Sequence, residues 1–450
     1  MAAPNPKLRQ QLSAPGLYQM VRQSLGKALP QVKGSTISSE DIAMSALAMF
    51  SMKYSSLLSF DRDTHATDPT VAHNLGTLFG VKQIPCDTQL RQRLDNVKPD
   101  MIRQAYRQIW QVLQRQKVLQ PYKALDGHLL ISVDGTGHFS SSSIRCPQCC
   151  VKHTKKGEQY YHQLLGAVCV RPGIREVLPL DAEPITKGDG NTKNDCERHA
   201  SKRLLERIRQ DHPQMKICIL EDSLASNAPH IRLLHQLKMD FILGVKFTDH
   251  VHLAQCMDER FGAGKYQESA SDLCTQDKDQ RRYGWRIYQD LPLNASAKDI
   301  RVNVVEYWEQ KSAKDPERFT NFSWVTNLEV NSENVMEYVQ AGRARWKVEN
   351  ETFNTLKNHG YHLEHNYGHG KKNLASNLGL LTILAFLIDQ VQEHCCRVFQ
   401  QARDAHYSRK AFWDRLRRLF LEFAIRTWER LYAVLRDQLK GFAALYADTG

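Results

Sequence analysis

The chain has 450 residues, 42 % of them hydrophobic and 24 % charged. That is ordinary globular usage and excludes a disordered chain, a collagen or a coiled-coil rod; at about 100–200 residues per domain the length corresponds to two to four domains. Lys and Arg number 61 against 49 Asp and Glu, giving a net charge of +12 and a pI near 9.1, a balance that favours a polyanionic partner.

The first sixteen residues carry Lys7 and Arg9 with no apolar block behind them, so no secretory signal is expected. Residues 1–120 read as a basic helical region with 15 Lys and Arg against 8 Asp and Glu. Within it, Glu40 and Asp41 open the apolar stretch Ile42–Leu58, and Ile102, Tyr106, Ile109 and Leu113 recur at helical spacing. The remaining faces of that second helix are Arg and Gln, which suits either a core helix or one laid against DNA. Eleven cysteines, with no signal peptide, are expected to be free thiols.

From about residue 127 the pattern turns to strands. Leu129–Val133, Tyr160–Val170, Glu176–Ile185, Lys216–Leu220 and Phe241–Val245 are apolar or β-branched runs, with helices expected over Asp195–Asp211 and Pro229–Leu237. Three strands followed by helix–strand–helix–strand give a mixed α/β sheet over 125–250. A β-rich insertion spans 251–334, with alternating segments at Trp285–Tyr288, Val302–Trp308 and Asn321–Leu328. Helix returns over 335–400, and 401–450 is a basic helical region. The longest apolar run, Leu378–Ile388, is shorter than the roughly 20 residues needed to cross a bilayer.

Two strands end in acids, Val133-Asp134-Gly135 and Leu220-Glu221-Asp222-Ser223. In α/β sheets, ligands gather at the carboxyl ends of strands. A carboxylate after a buried run costs desolvation unless a cation compensates it. Two such acids on neighbouring strands can hold divalent ions about 3.5–4 Å apart, and Mg²⁺ suits carboxylate and phosphate oxygens. Both acids also fit as turn and capping residues. A third acid changes the balance. Arg345, Glu349, Phe353 and Lys357 are each four apart and share a helix face. They fit a metal ligand between phosphate-binding cations, or a solvated ion-pair ladder.

Together, Asp134 in ISVDGTGHFSS, Asp222 in CILEDSLASNAPHI and Glu349 in RWKVENETFNTLK resemble the DDE transposases of bacterial insertion sequences, over roughly residues 125–400. WKVENETFNTLKNHGYHLEHNYGHG is the most specific piece. The resemblance implies an RNase H-like core and a two-metal mechanism with Mg²⁺ or Mn²⁺ on Asp134, Asp222 and Glu349. It also implies cleavage of double-stranded DNA at transposon ends, strand transfer by the freed 3′-OH, and a homodimer on DNA. Arg345 and Lys357 match the basic members of the family's Tyr-Arg-Glu-Lys signature, which contact phosphates. Gly342 stands where the signature has Tyr, and the Glu-to-Lys spacing is eight rather than seven. Glu351 therefore rivals Glu349, and Glu221 rivals Asp222. The implied location is the bacterial cytoplasm, at the nucleoid. A DNA-binding remnant without catalysis and an RNase H-like nuclease without strand transfer are the alternatives.

Secondary features remain. Cys146, Cys149 and His153 have zinc-knuckle spacing, with His138, His162 or Cys150 as a fourth ligand; a reduced thiol cluster is the competing reading. Trp324 is either a base-stacking aromatic, as the resemblance implies, or a core residue. His359, His362, His365 and His369 lie among glycines and read as a DNA-facing loop rather than a metal cluster, with Lys371 and Lys372 as phosphate contacts.

Overall fold

The run Leu129–Val133, apolar but for Ser132, is buried throughout and lies in the middle of a sheet rather than at an edge. The computed structural model describes residues 10–186, 193–271, 282–312 and 315–437. Lys7, Arg9 and the last residues of the expected C-terminal helices fall outside these.

Helices α1 (Ala14–Ala28), α2 (Ser39–Ser51), α3 (Leu57–Thr64), α4 (Thr70–Phe79), α5 (Asp87–Asp95) and α6 (Pro99–Arg115) come first. Strands β1 (Lys123–Ala124), β2 (His128–Ser141), β3 (Cys150–Thr154), β4 (Gly157–Val170) and β5 (Leu178–Ile185) follow. Then α7 (Lys193–Asp211), β6 (Ile217–Glu221), α8 (Ala228–Gln236), β7 (Asp240–Gly244) and α9 (Val251–Gly262) alternate. Strands β8 (Gln267–Ser271), β9 (Tyr283–Pro292), β10 (Arg301–Ser312) and β11 (Asp315–Thr326) precede α10 (Val335–Ala344), a π-helical turn over Val348–Phe353 and α11 (Asn354–Asn358). The chain closes with α12 (Leu374–Cys395), α13 (Arg397–Asp404), α14 (Arg409–Glu422) and α15 (Trp428–Asp437).

All eleven described strands join one sheet. Its first part runs β5-β4-β2-β6-β7. Strands β2, β6 and β7 are parallel, while β4 and β5 are antiparallel to their neighbours. The sheet then continues through β11, β10, β9 and β8, all antiparallel. The β-rich segment thus extends the main sheet through the β7–β11 ladder.

Strand β2 does not stop at Asp134, where the sequence expects its end. Its ladder with β4 continues past Asp134↔Gly166 to Ser141↔Tyr160, with a bulge between His138 and Ser141. Phe139 sits in that bulge at φ +50°, bending the strand end toward the cysteine loop.

Helices before β1 pack against helices after α11, with Tyr18 stacked on Trp428 and Asn74 donating to the Phe420 carbonyl. Helix α6 carries Ile102, Tyr106, Ile109 and Leu113 on a buried face, and its Trp110 and Arg103 are buried as well. That face makes it a core helix, while Gln111, Gln114 and Arg115 stay exposed on the other. Arg103 donates to Asp181 (3.2 Å) and Glu183 (2.8 Å) on β5, and Arg207 of α7 reaches the same two acids at 2.6 and 2.8 Å. Helix α12 extends beyond the apolar run Leu378–Ile388 on both sides. By length and composition it could cross a membrane, yet its whole apolar window is buried inside the protein.

A second buried ion pair fastens α12 to the chain after α2. Lys53 Nζ lies 2.7 Å from Asp389, with both side chains no more than 5 % exposed, and rests 4.0 Å over the rings of Tyr361 and Trp413. Tyr361 Oη donates to the same carboxylate. Lys53 holds this position at φ +57°, a left-handed conformation costing on the order of 1–2 kcal/mol in a non-glycine residue. Removing one partner strands a buried charge, which costs about 3–5 kcal/mol. Asp389→Ala is expected to lower urea-unfolding stability by that amount, and Lys53→Met with Asp389→Leu by clearly less.

Candidate active site

The face of β2 that carries Ser132 also carries Asp134, two residues on. Ser132 Oγ donates to the Arg345 carbonyl (2.9 Å), which fixes the end of α10 against the strand. The Arg345 guanidinium then reaches Asp134 Oδ2 at 3.4 Å and Glu349 Oε1 at 2.8 Å. One arginine therefore bridges two carboxylates that are 215 residues apart in sequence. Glu351 takes no part in this bridge.

The approach is close because β4 yields space. Gly166 lies directly opposite Asp134, and a Cβ there would stand 3.2 Å from the Phe353 ring. The π turn that carries Glu349 packs into that gap through Phe353, with Val348 fully buried. Single π turns inside helices often mark functional positions.

The second strand-end acid is on the adjacent parallel strand. Ser132 pairs with Leu220 as the last pair of that ladder, and Asp134 and Asp222 each lie two residues beyond it. Both line one open pocket, with Glu197, Arg198, Ser201, Glu221, Asn227 and His230 around them. Asp222 is exposed and accepts from Leu224 N (2.9 Å). Its rival Glu221 is buried and engaged, 2.5 Å from His230 Nε2 and 3.4 Å from Ser201 Oγ. Burial lowers the His230 pKa, but the Glu221 carboxylate reverses this and leaves it raised. Sequence reading missed Glu197 and His230; neither follows an apolar strand run, the signal used to pick acids.

Burial pushes Asp134 up to about 7, and the neighbouring Glu349 carboxylate adds to that, against the opposing Gly135 N–H and Arg345. Asp134 thus shares a pocket with Asp222 and an arginine with Glu349, and carboxylate oxygens are hard donors of the kind divalent cations take.

The other expected residues distribute differently. Lys357 forms an ion pair with Glu364 (3.1 Å). Lys371 is exposed, but its backbone N–H and those of Lys372, Asn373 and Leu374 all donate to Asp95, capping α12, while Lys372 Nζ reaches Asn96 at 2.9 Å. Trp324 is 7 % exposed, stacks on Phe322 and fills the space over Gly342, where a Cβ would meet its ring at 2.5 Å. It is a packing residue, not an open stacking platform. The glycine at 342, where the resemblance calls for a tyrosine, is what admits the indole.

The cysteine loop also departs from expectation. His153 is 80 % exposed and faces Glu158 at 3.7 Å, away from the thiols. Cys146 and Cys149 instead face His162 of β4 and His369. His369 is buried, as are Tyr361, Leu363 and Tyr367, whereas His359 and His365 are exposed and His362 is half-buried, so the histidine-rich segment packs one side inward and leaves the other open.

No protein-family model matches this chain, and no curated protein matches it. Seven chains of solved structures do match. One is a cryo-EM structure of a piggyBac transposase synaptic complex with hairpin DNA, 12 % identical, with the match covering 100 % of this chain and 83 % of that one at a TM-score of 0.38.

The raised Asp134 pKa gives a pH test. A carboxyl raised in the folded state adds stability at low pH, and that contribution fades as pH climbs from about 4 through about 7. With chelator present, melting temperature is expected to fall across this window relative to Asp134→Asn, by an amount equivalent to about 4 kcal/mol at most. Millimolar Mg²⁺ should restore the wild-type value at neutral pH and leave the variant unchanged.

Proposed function

We propose that the chain is a metal-dependent enzyme of the DDE transposase class, which cuts double-stranded DNA and joins the freed 3′-OH to a second DNA. The observation that carries this reading is the convergence on Asp134. It shares a pocket with Asp222 on the next strand and an arginine with Glu349 from a distant helix. The strand order β5-β4-β2-β6-β7, with only β4 reversed, supports an RNase H-like core for this arrangement.

Asp134, Asp222 and Glu349 would hold the divalent ions. Such ions, when bound, supply activation of the attacking oxygen and stabilisation of the leaving one. The protein's own part is to hold three carboxylates together despite their mutual repulsion. Arg345 offsets two of them, and with a ligand present its guanidinium is also suited to a phosphate oxygen. The basic balance of the chain favours DNA as the polyanion. Holding two DNA ends for joining calls for two copies of the chain on DNA.

The test is Mg²⁺-dependent cleavage of supercoiled DNA carrying the flanking element ends. Asp134→Ala, Asp222→Ala and Glu349→Ala are each expected to lose at least about 100-fold in cleavage while retaining DNA binding. Glu351→Ala should stay within a few-fold of wild type. Cleavage without joined product would make the chain a nuclease, and binding without cleavage would make it a remnant.

A further inference from the structure

We propose that Cys146, Cys149, His162 and His369 bind one Zn²⁺ ion as a closed structural site. The argument is one of edge lengths. Zinc bonds of about 2.3 Å to sulfur and about 2.05 Å to nitrogen, at the tetrahedral angle, put ligand atoms about 3.8 Å apart for sulfur–sulfur and about 3.5 Å for sulfur–nitrogen. Cys146 Sγ and Cys149 Sγ are 3.6 Å apart. His162 Nε2 lies 3.4 and 3.5 Å from them, and His369 Nδ1 is 3.0 Å from Cys149 Sγ. All four ligand atoms fall within 4.8 Å of one another. Four of the six edges between these ligand atoms thus fall at 3.0–3.6 Å, near zinc dimensions, and the other two stay within 4.8 Å.

Chemistry and burial agree with the geometry. Zn²⁺ would displace the two thiol protons to solvent, and two thiolates with two neutral imidazoles leave the site with no net charge. That suits a place where Cys149, His162 and His369 are all at most 6 % exposed. Two thiolates and two imidazoles are a borderline-soft donor set, unlike the all-oxygen set at Asp134. None of the four residues lines the Asp134 pocket. With four protein ligands and no open position, the ion holds structure and performs no chemistry.

Its place in the fold says what it holds. Cys146 and Cys149 sit in the loop after the β2 bulge, His162 on β4, and His369 just before α12. The site therefore ties the segment following the Glu349 turn to the two strands that carry Asp134 and Gly166. A metal crosslink here spans 220 residues between Cys149 and His369, where fixing the chain ends is entropically costly.

The test is metal analysis of the full chain purified without chelator. About one zinc per chain is expected in wild type and in His153→Ala, with at least about tenfold loss in His369→Ala and Cys149→Ser. Zinc near zero in wild type grown and purified with added Zn²⁺ would overturn the site, as would loss in His153→Ala with retention in His369→Ala. Should the cysteine and histidine variants not fold, Co²⁺ exchanged into wild type decides. Intense visible bands with thiolate-to-cobalt charge transfer in the near ultraviolet support a tetrahedral two-thiolate site, and their absence contradicts it. Neither readout depends on DNA cleavage, so the inference stands or falls apart from the proposed activity.

Discussion

A carboxylate in the middle of a central strand is an expensive thing to fold. Asp134 sits on β2 among residues that are almost wholly buried, and it shares its surroundings with a second carboxylate, Glu349. Desolvation and like-charge repulsion both oppose ionising it. The structure answers with one cation, Arg345, which reaches both oxygens and is itself pinned to β2 through Ser132. On the proposed reading, this partial compensation is the functional device: the site holds more negative charge than its own arginine offsets, and a divalent cation completes the balance.

Much of the remaining fold serves to keep those groups in place. The β4 glycine opposite Asp134 lets the Glu349 turn approach, and Phe353 occupies the room it leaves. The Arg103, Arg207, Asp181 and Glu183 network locks α6 and α7 to β5, while Lys53 and Asp389 lock α12 to the N-terminal helices. The segment between the Glu349 turn and α12 is anchored twice, by Asp95 receiving four backbone N–H groups and by His369 among the thiols. An acid carried this far along the chain from Asp134 depends on such anchors, because nothing in its own sequence fixes where its turn docks.

The buried strands of the central sheet were legible because each contains an apolar or β-branched run bounded by turn residues, whereas β3, exposed along most of its length, carries no such run and was not. Asp134 and Asp222 stood out because an acid directly after a buried run breaks the pattern. The extension of β2 beyond Asp134 was not legible. GTGHFSS has no strand-like alternation and is held in the sheet by its ladder to β4. His153 was favoured over His369 for the same reason: local spacing is visible in sequence, whereas a contact across 220 residues is set by tertiary packing. The buried ion networks were hidden too, since Arg103 reads as one more charge on the polar side of an amphipathic helix.

The central claim is that Asp134, Asp222 and Glu349 share bound divalent ions. The most direct measurement replaces Mg²⁺ with Fe²⁺ and maps where ascorbate and peroxide cut the chain, since hydroxyl radicals cleave the backbone only beside the iron. The account requires cuts clustered near residues 134, 222 and 349, suppressed by excess Mg²⁺ and absent in Asp134→Ala. Mg²⁺-sensitive cutting confined to other segments, or none at all, would contradict it.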